Sequence, residues 1–470
     1  MNYDMDIKKN QVYEVEILDN GFKGEGIAKI DGFTVFIPNA IKGEKVEIKI
    51  LKVLSSYAFA KIERFLEVSE NRRDEDCETY SKCGGCVMRH IDYNATLDMK
   101  RNSVISTLNK QGFNDVVVND TIGMENPLYY RNKLQYPLGK DADGKPVMGV
   151  FAERTHRVVP TEHCYIQNER LQEIANGIFD FIKKNDIPVY DEVNLSGEIR
   201  HLVLRVGVKT GEVMVVIVSN EKKITKELEL VQYIADNFPN VKTVVKNINM
   251  KDTNVILGRE NVVLLGDGFI YDELLGFRFK ISPMSFYQVN PYQTEKLYSK
   301  AIEYAGVSGD ETVFDLYCGI GTIGICASKN VKKLYGIETV SEAIEDAKRN
   351  AKENGIENAE FFVGDVEKAL PEFIAERGIC ADVIFVDPPR KGCDRSAIET
   401  ILEIEPKRIV YISCNPATLA RDLRLFDEKY VVREVTPVDM FPFTRTCGMC
   451  GSATTKTRQV ILEDVIFTNE

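Results

Sequence analysis

Three kinds of hydrophobic spacing follow one another along the chain. Residues 11–66 alternate apolar with polar positions: Val12-Tyr-Glu-Val-Glu-Ile-Leu, Ile27-Ala-Lys-Ile, Thr34-Val-Phe-Ile and Lys45-Val-Glu-Ile-Lys-Ile, separated by glycine-bearing turns at 20–26, 31–33 and 42–44. Period-two alternation in short segments predicts strands, and strands at this spacing predict a small β-barrel. Between 93 and 112 the period lengthens, and Leu97, Val104, Ile105 and Leu108 predict one amphipathic helix. From 312 onward, short unbroken apolar runs end in acids or turn formers, at Asp315, Glu338, Asp365, Asp387 and Cys414. Runs of that length, alternating with helical passages, predict buried parallel strands. The expected architecture is α/β: a barrel over 1–66, a central α+β domain over 67–282, and a Rossmann-like domain over 283–470 on which 93–124 packs.

The chain has 470 residues, 44% of them hydrophobic, enough for two or three cores. No apolar run is long enough to span a bilayer, and Met-Asn-Tyr-Asp-Met-Asp-Ile-Lys-Lys lacks the apolar stretch of a signal peptide. A cytoplasmic protein is expected. The formal charge of −12 argues against indiscriminate binding of polyanions but leaves room for a local basic groove. Lys42, Lys45, Lys49, Lys52, Lys61 and Arg64 concentrate positive charge on the barrel. A solvated surface and an RNA-contacting one are equal readings of that charge.

Eleven cysteines in a cytosolic chain point to metal binding or catalysis more than to disulfides. Cys77-x5-Cys83-Gly-Gly-Cys86 sets three thiols in a glycine-rich turn, and the distant Cys164 can close a tetrad. Zinc and iron–sulfur centres both accept four thiolates. The spacing lies near the ferredoxin type and lacks paired Cys-x2-Cys knuckles, so a [4Fe–4S] cluster is the expectation, with zinc or unliganded thiols as the other readings.

Ligands of an open parallel sheet sit beyond the carboxyl ends of its strands. Asp387, in Val-Asp-Pro-Pro-Arg390-Lys-Gly, and Cys414, in Ser-Cys-Asn-Pro, are therefore expected in one crevice. Taken alone, a cysteine there is more often a small core residue than a nucleophile. Thr312-Val-Phe-Asp315-Leu-Tyr317-Cys-Gly319-Ile-Gly321-Thr-Ile-Gly324 is a strand, an acid, a glycine turn and the start of a helix. Glu338 ends the next strand, where a carboxylate can accept ribose hydroxyl protons. Both dinucleotide-binding and methyl-donor-binding domains fit this turn. Tyr129-Tyr-Arg131-Asn-Lys133 and Arg200-His-Leu-Val-Leu-Arg205 mix cations with aromatics, as solvated sheet faces and single-stranded RNA platforms both do.

The segment Gly-Glu-Gly-Ile-Ala-Lys-Ile-Asp-Gly-Phe-Thr-Val-Phe-Ile-Pro resembles the TRAM module, an OB-like barrel found on RNA-modifying enzymes. Ser-Phe-Tyr-Gln-Val-Asn, Asp-Leu-Tyr-Cys-Gly-Ile-Gly-Thr-Ile-Gly, Val-Asp-Pro-Pro-Arg-Lys-Gly, Ser-Cys-Asn-Pro-Ala-Thr-Leu-Ala-Arg-Asp and Asp-Met-Phe-Pro then follow in order. Together, over about 10–445, they resemble the bacterial RNA uracil-5-methyltransferases, most closely the 23S ribosomal RNA branch with a TRAM module and an iron–sulfur cluster. The resemblance implies that Gln288, Tyr317, Glu338 and Asp387 contact S-adenosylmethionine. It makes Cys414 the nucleophile, Cys77, Cys83, Cys86 and Cys164 the cluster ligands, and RNA the partner. Phe286 is a stacking candidate, with a core role the alternative. Asp-Pro-Pro also resembles the motif of amino-group methylases, which need no covalent thiolate.

One departure concerns proton abstraction. In the family, Asp-Met-Phe-Pro is followed by His-Thr-x-His-Val-Glu, whose Glu is the base; here Gly448 stands in its place. The stretch after it, Gly-Ser-Ala-Thr-Thr-Lys-Thr, lacks the apolar character expected of a closing strand. Codons for 446–453 can be read one base on as His-Val-Glu followed by an apolar strand. Residues 446–470 therefore read as a frame-shifted ending, and a chain that uses them releases product poorly or acts only by binding RNA.

Overall fold

The computed structural model describes residues 7–21, 24–444 and 447–455. The N-terminal alternation closes into six strands, in the order Val12–Glu16, Lys45–Val53, Tyr57–Glu67, Phe33–Ile37, Gly26–Ile30 and Asp19–Asn20. Its inward positions, among them Ala28, Val35, Ile37, Val46, Ile48 and Ala58, are wholly buried, as period-two patterning requires. The outward cations are largely neutralised: Lys45 pairs with Glu67, Lys61 with Glu63 and Arg64 with Glu47. The barrel's basic appearance in sequence thus overstates its local field.

The middle of the chain forms a seven-stranded sheet centred on Lys133–Lys140, Ile199–Val206, Val213–Ser219 and Val241–Ile248, covered by helices Glu169–Lys184 and Glu227–Asn237. The hairpin Ile270–Leu274 with Phe277–Ile281 shares its core with Val313, Phe385 and Val410 of the following sheet.

That following sheet has eight strands. Thr312–Leu316 lies inside it, with Lys333–Glu338 and Ala359–Val363 to one side, and Val383–Val386 and Arg408–Ser413 to the other. All five run parallel, so their carboxyl ends share one edge, and the order reverses between Thr312–Leu316 and Val383–Val386. A reversal of this kind opens a crevice. Gly448–Thr455 then inserts antiparallel between Arg408–Ser413 and Tyr430–Val438. The expectation that this stretch could not finish the sheet is overturned. A strand paired on both sides is held by its backbone ladder, and Gly448, Gly451, Ser452 and Ala453 fit where flanking side chains already fill the space. Thr446 and residues 456–470 lie outside the described residues.

Helix Tyr93–Lys110 packs Val104 and Leu108 into the core of this sheet, and Val117–Val118 adds its last strand beside Glu434 and Val435. The buried stripe of the helix is Tyr93, Thr96, Lys100, Val104 and Leu108. Two of these are polar, which blurs the apolar period. Among the described residues no helix is long and apolar enough to cross a membrane.

Candidate active site

The crevice is built where backbone hydrogen bonding ends. Leu316 closes its strand, and Tyr317 turns the chain with a left-handed φ of 63°, rare for a residue with a side chain. Gly319 and Gly321 follow at φ 55° and 81°, where glycine meets no penalty. The loop is clamped by carboxylates at neighbouring strand ends. Glu338 accepts the Gly319 N–H at 3.2 Å and the Val340 N–H at 3.0 Å, and Asp315 accepts the Gly324 N–H at 2.9 Å. The Tyr317 ring packs against the core cluster that contains Cys393.

Asp387 follows Val383–Val386 and meets the first strand through its N–H on the Leu316 carbonyl at 3.5 Å. Burial raises its carboxyl to about 7. Asp315, fully buried, also rises to about 7, from burial first; the Gly324 N–H opposes this, while Asp387 and Glu338 reinforce it. Its Oδ1 is buried without a partner. Three carboxylates thus crowd one edge of the crevice, an arrangement that attracts a cation.

Cys414 caps the next strand, half-buried, just before Asn415 turns the chain into helix Pro416–Phe426 by accepting the Ala417 N–H at 3.0 Å. Burial raises its thiol; the positive charge of the nearby Arg390 guanidinium pulls the other way, and Asp387 adds to the rise. Arg390 is a residue whose role the sequence reading missed, although it ends the Asp-Pro-Pro-Arg motif. The geometry brings Asp387, Arg390 and Cys414 together.

Gln288 is half-buried in the 285–289 segment, its main-chain carbonyl accepting from Asn132 Nδ2 at 3.0 Å. Phe286 in the same segment is 71% exposed, which removes the core reading for that ring. Arg200, by contrast, is structural: it donates to the Asn249 and Lys251 carbonyls at 2.8 and 2.7 Å and lies over the Tyr190 ring. Tyr130 is buried in the core as well.

A second wall is formed by Asp439–Thr444, whose Met440 shares a core cluster with Ile320 and Ile412. Asp439, fully buried, takes hydrogen bonds from Lys100 Nζ and from the Tyr93 hydroxyl. Lys100 also reaches the Phe441 carbonyl at 3.0 Å, and Gln293 Nε2 bonds the Asp439 carbonyl at 3.2 Å. None of these anchors was legible in sequence. At Gly448, a Cβ would meet Met440 Cγ at 2.5 Å, so no longer side chain fits there without moving Met440.

Cys77, Cys83, Cys86 and Cys164 are all part-buried, and Cys86 and Cys164 pack against the cluster that contains Tyr93 and Phe443. Burial pushes the Cys86 thiol up to about 12, with added repulsion from Cys164, Cys83 and Cys77. Gly84, at φ 68°, turns the chain between them. The Tyr136 hydroxyl is buried without a partner near Cys164, Cys83 and Cys77. Among the described residues no set of three or more His, Cys, Asp or Glu converges tightly enough for a single metal ion.

The chain resembles known proteins over most of its length. The family described as tRNA (Uracil-5-)-methyltransferase matches residues 270–454, and the TRAM domain matches residues 7–62. An uncharacterized RNA methyltransferase of Clostridium acetobutylicum is 48% identical over 93% of this chain and 96% of its own. One of Staphylococcus aureus is 46% identical over 93% and 97%. The crystal structure of Pyrococcus abyssi tRNA (uracil-54, C5)-methyltransferase, in complex with S-adenosyl-L-homocysteine, superposes with a TM-score of 0.75 at 25% identity, covering 94% of this chain and all of that one. With its strand-end thiol and acid in one crevice and relatives matched over nearly the whole chain, the protein belongs to the RNA uracil-5-methyltransferase family.

Proposed function

We propose that the protein uses S-adenosylmethionine to methylate C5 of a uridine in 23S ribosomal RNA, through a covalent bond between Cys414 and uracil C6. The observation that carries this reading is the Cys414 thiol beside Asp387 and Arg390 at the open end of the sheet. The donor supplies a methyl group on a sulfonium. Uracil C5 is too weak a nucleophile to take it unaided. The Cys414 sulfur adds its electron pair to C6, and C5 becomes enolate-like and attacks the methyl carbon. The donor leaves as its neutral thioether; water takes the C5 proton, the freed electron pair forms the C5=C6 double bond, and the C6–S bond breaks to release the Cys414 thiolate and 5-methyluridine. Burial alone disfavours the thiolate, and Arg390 offsets this. Glu338 and Gln288 would hold the donor, with backbone of the Tyr317 turn lining its site and Asp387 facing donor or uracil. The target base must leave its stack to reach Cys414, and Phe286 would stack in the RNA near the gap.

Cys77, Cys83, Cys86 and Cys164 would hold a [4Fe–4S] cluster that ties the central domain to the wall of the crevice. Transfer RNA is the second reading of the substrate, favoured by the Pyrococcus abyssi relative's substrate. The test is trapping: labelled S-adenosylmethionine is incubated with ribosomal RNA or with transfer RNA, and denaturation-resistant protein–RNA adducts are sought. An adduct with ribosomal RNA that Cys414→Ala abolishes supports the reading. A folded protein that yields neither adduct nor 5-methyluridine leaves RNA binding alone as its activity. With Gly448 in place of the family's base, the adduct is expected to accumulate; Gly448→Glu combined with Met440→Ala, which clears the 2.5 Å approach, is expected to speed release. Resequencing the gene across codons 445–455 decides the frame-shift reading, since DNA without a His-Val-Glu frame excludes it.

A further inference from the structure

Strands Lys133–Lys140 and Ile199–Val206 pair antiparallel, and their register sets Lys133 directly opposite Arg205. Like charges opposite one another across a strand pair repel. Arg131 adds a third cation. Burial first, then Arg205 and Arg131, hold the Lys133 amine down at about 8. Arg205 is only 7% exposed. One of its terminal nitrogens donates to the Ser285 carbonyl at 2.7 Å, while its Nε–H is buried with no partner. The Nε–H of Arg131 is buried and unpartnered as well.

Among the described residues, other buried cations have partners for their charge, although the Nε–H groups of Arg200 and Arg408 are also buried without one. Lys100 has Asp439, Lys246 has Glu227, Arg72 has Glu44, and Arg200 has two carbonyls. Among the described residues no carboxylate pairs with Arg131, Lys133 or Arg205. The three flank the segment that carries Phe286 and Gln288: Arg205 holds Ser285, and Asn132, between the other two, bonds the Val289 and Gln288 carbonyls. Unmatched positive charge beside the segment that carries the exposed Phe286 ring calls for an anion that arrives with the substrate.

We propose that Arg131, Lys133 and Arg205 form a binding site for a backbone phosphodiester of the single-stranded RNA segment that carries the target uridine. The identity of the polyanion rests on the RNA-methylation reading. Guanidinium groups suit the site because their forked donors match phosphate oxygens, and the repulsion among the three cations is relieved when the anion seats. A phosphate held here would fix the strand while its base is out of the stack.

Lys133→Met separates this role from a structural one, because Lys133 makes no hydrogen bond that the substitution would break. Binding of a uridine-containing single-stranded RNA is measured by fluorescence anisotropy across a salt series, alongside thermal melting. The expected result is RNA affinity lower by about tenfold and a log K against log[salt] slope shallower by about 0.7, the share of one phosphate contact. Melting temperature holds or rises as repulsion is removed, and affinity for S-adenosylmethionine is unchanged. Unchanged RNA affinity and slope in a folded Lys133→Met protein would overturn the site, as would a wild type that does not bind single-stranded RNA. Binding is read without turnover, so the two readings fail separately. A wild type that makes no 5-methyluridine while Lys133→Met loses affinity defeats the proposed reaction and leaves the phosphate site standing. Methylation by a wild type whose affinity Lys133→Met does not alter does the reverse.

Discussion

The two walls of the crevice are made in different ways. The wall at the strand ends, from Asp315 through Cys414, is assembled by topology: five parallel strands deliver their last residues to one edge, and the Gly319 turn and the acids Asp315 and Glu338 clamp one another over short stretches of chain. The wall formed by Asp439–Thr444 is positioned by buried polar contacts from residues distant in sequence. Its anchors are Tyr93 and Lys100 on one helix, Gln293 on another, and Met88, whose N–H bonds the Phe443 carbonyl at 3.0 Å. Topology places reagents robustly. A polar latch places them only while every partner is present.

The largest difference between the walls is therefore expected from Lys100→Met. It leaves the Asp439 carboxylate buried without its cation, which typically destabilises by about 3–5 kcal/mol. Urea unfolding reads this as a lower midpoint. Lys100→Met combined with Asp439→Leu should recover most of the loss, because an apolar pair of similar volume replaces a buried ion pair at little penalty. A single variant as stable as the wild type would mean the latch holds nothing.

A smaller effect is expected in the topological wall. Gly392 has φ 80°, and a Cβ there would meet Arg421 and the Asp422 carboxylate at 2.4 and 2.5 Å. Asp422 accepts the Cys393 N–H at 2.8 Å and the Tyr411 hydroxyl at 2.6 Å, tying the Asp-Pro-Pro-Arg loop to the strand of Cys414. Gly392→Ala should destabilise by about 2 kcal/mol, the left-handed backbone penalty plus some disturbance of these bonds. Thermal melting checks this, and a loss as large as that of Lys100→Met would erase the contrast between the walls.

The same contrast explains what could be read in the sequence. Strand–acid–glycine runs declare themselves because chemistry and periodicity coincide within a few residues, and the strand-end places of Asp315, Glu338, Asp387 and Cys414 were legible for that reason. Lys100 was not, because a lysine on a helix reads as solvated until its partner, 339 residues away, is known. Gly448–Thr455 was misjudged because β propensity measures side-chain packing, and a strand of small residues held between two neighbours owes its place to backbone pairing. Cation counts misled in a related way. They pointed to the barrel, where Lys45, Lys61 and Arg64 are paired, as readily as to Lys133 and Arg205, which are not.

The smallest expected effect sharpens the comparison through pH. In the folded chain Asp315 and Asp387 rise from the ordinary 3.8 to about 7. A carboxyl whose folded pKa is raised keeps its proton in the folded state while the unfolded chain releases it. Stability contributed this way is fully present below about pH 4 and is lost as pH climbs to about 7. Thermal melting should therefore decline between pH 5 and pH 8 in the ligand-free protein, with Asp315→Asn flattening part of the slope; the Asp387 share is reduced by solvent screening. Binding of the cationic methyl donor should run the other way, because a sulfonium favours ionised carboxylates, so its affinity should rise over the same pH range. Opposite pH slopes for stability and donor affinity, both weakened by Asp315→Asn, would place the positive charge of the donor at the topological wall. A donor affinity indifferent to pH would remove these carboxylates from its site and leave them as strain held within the sheet.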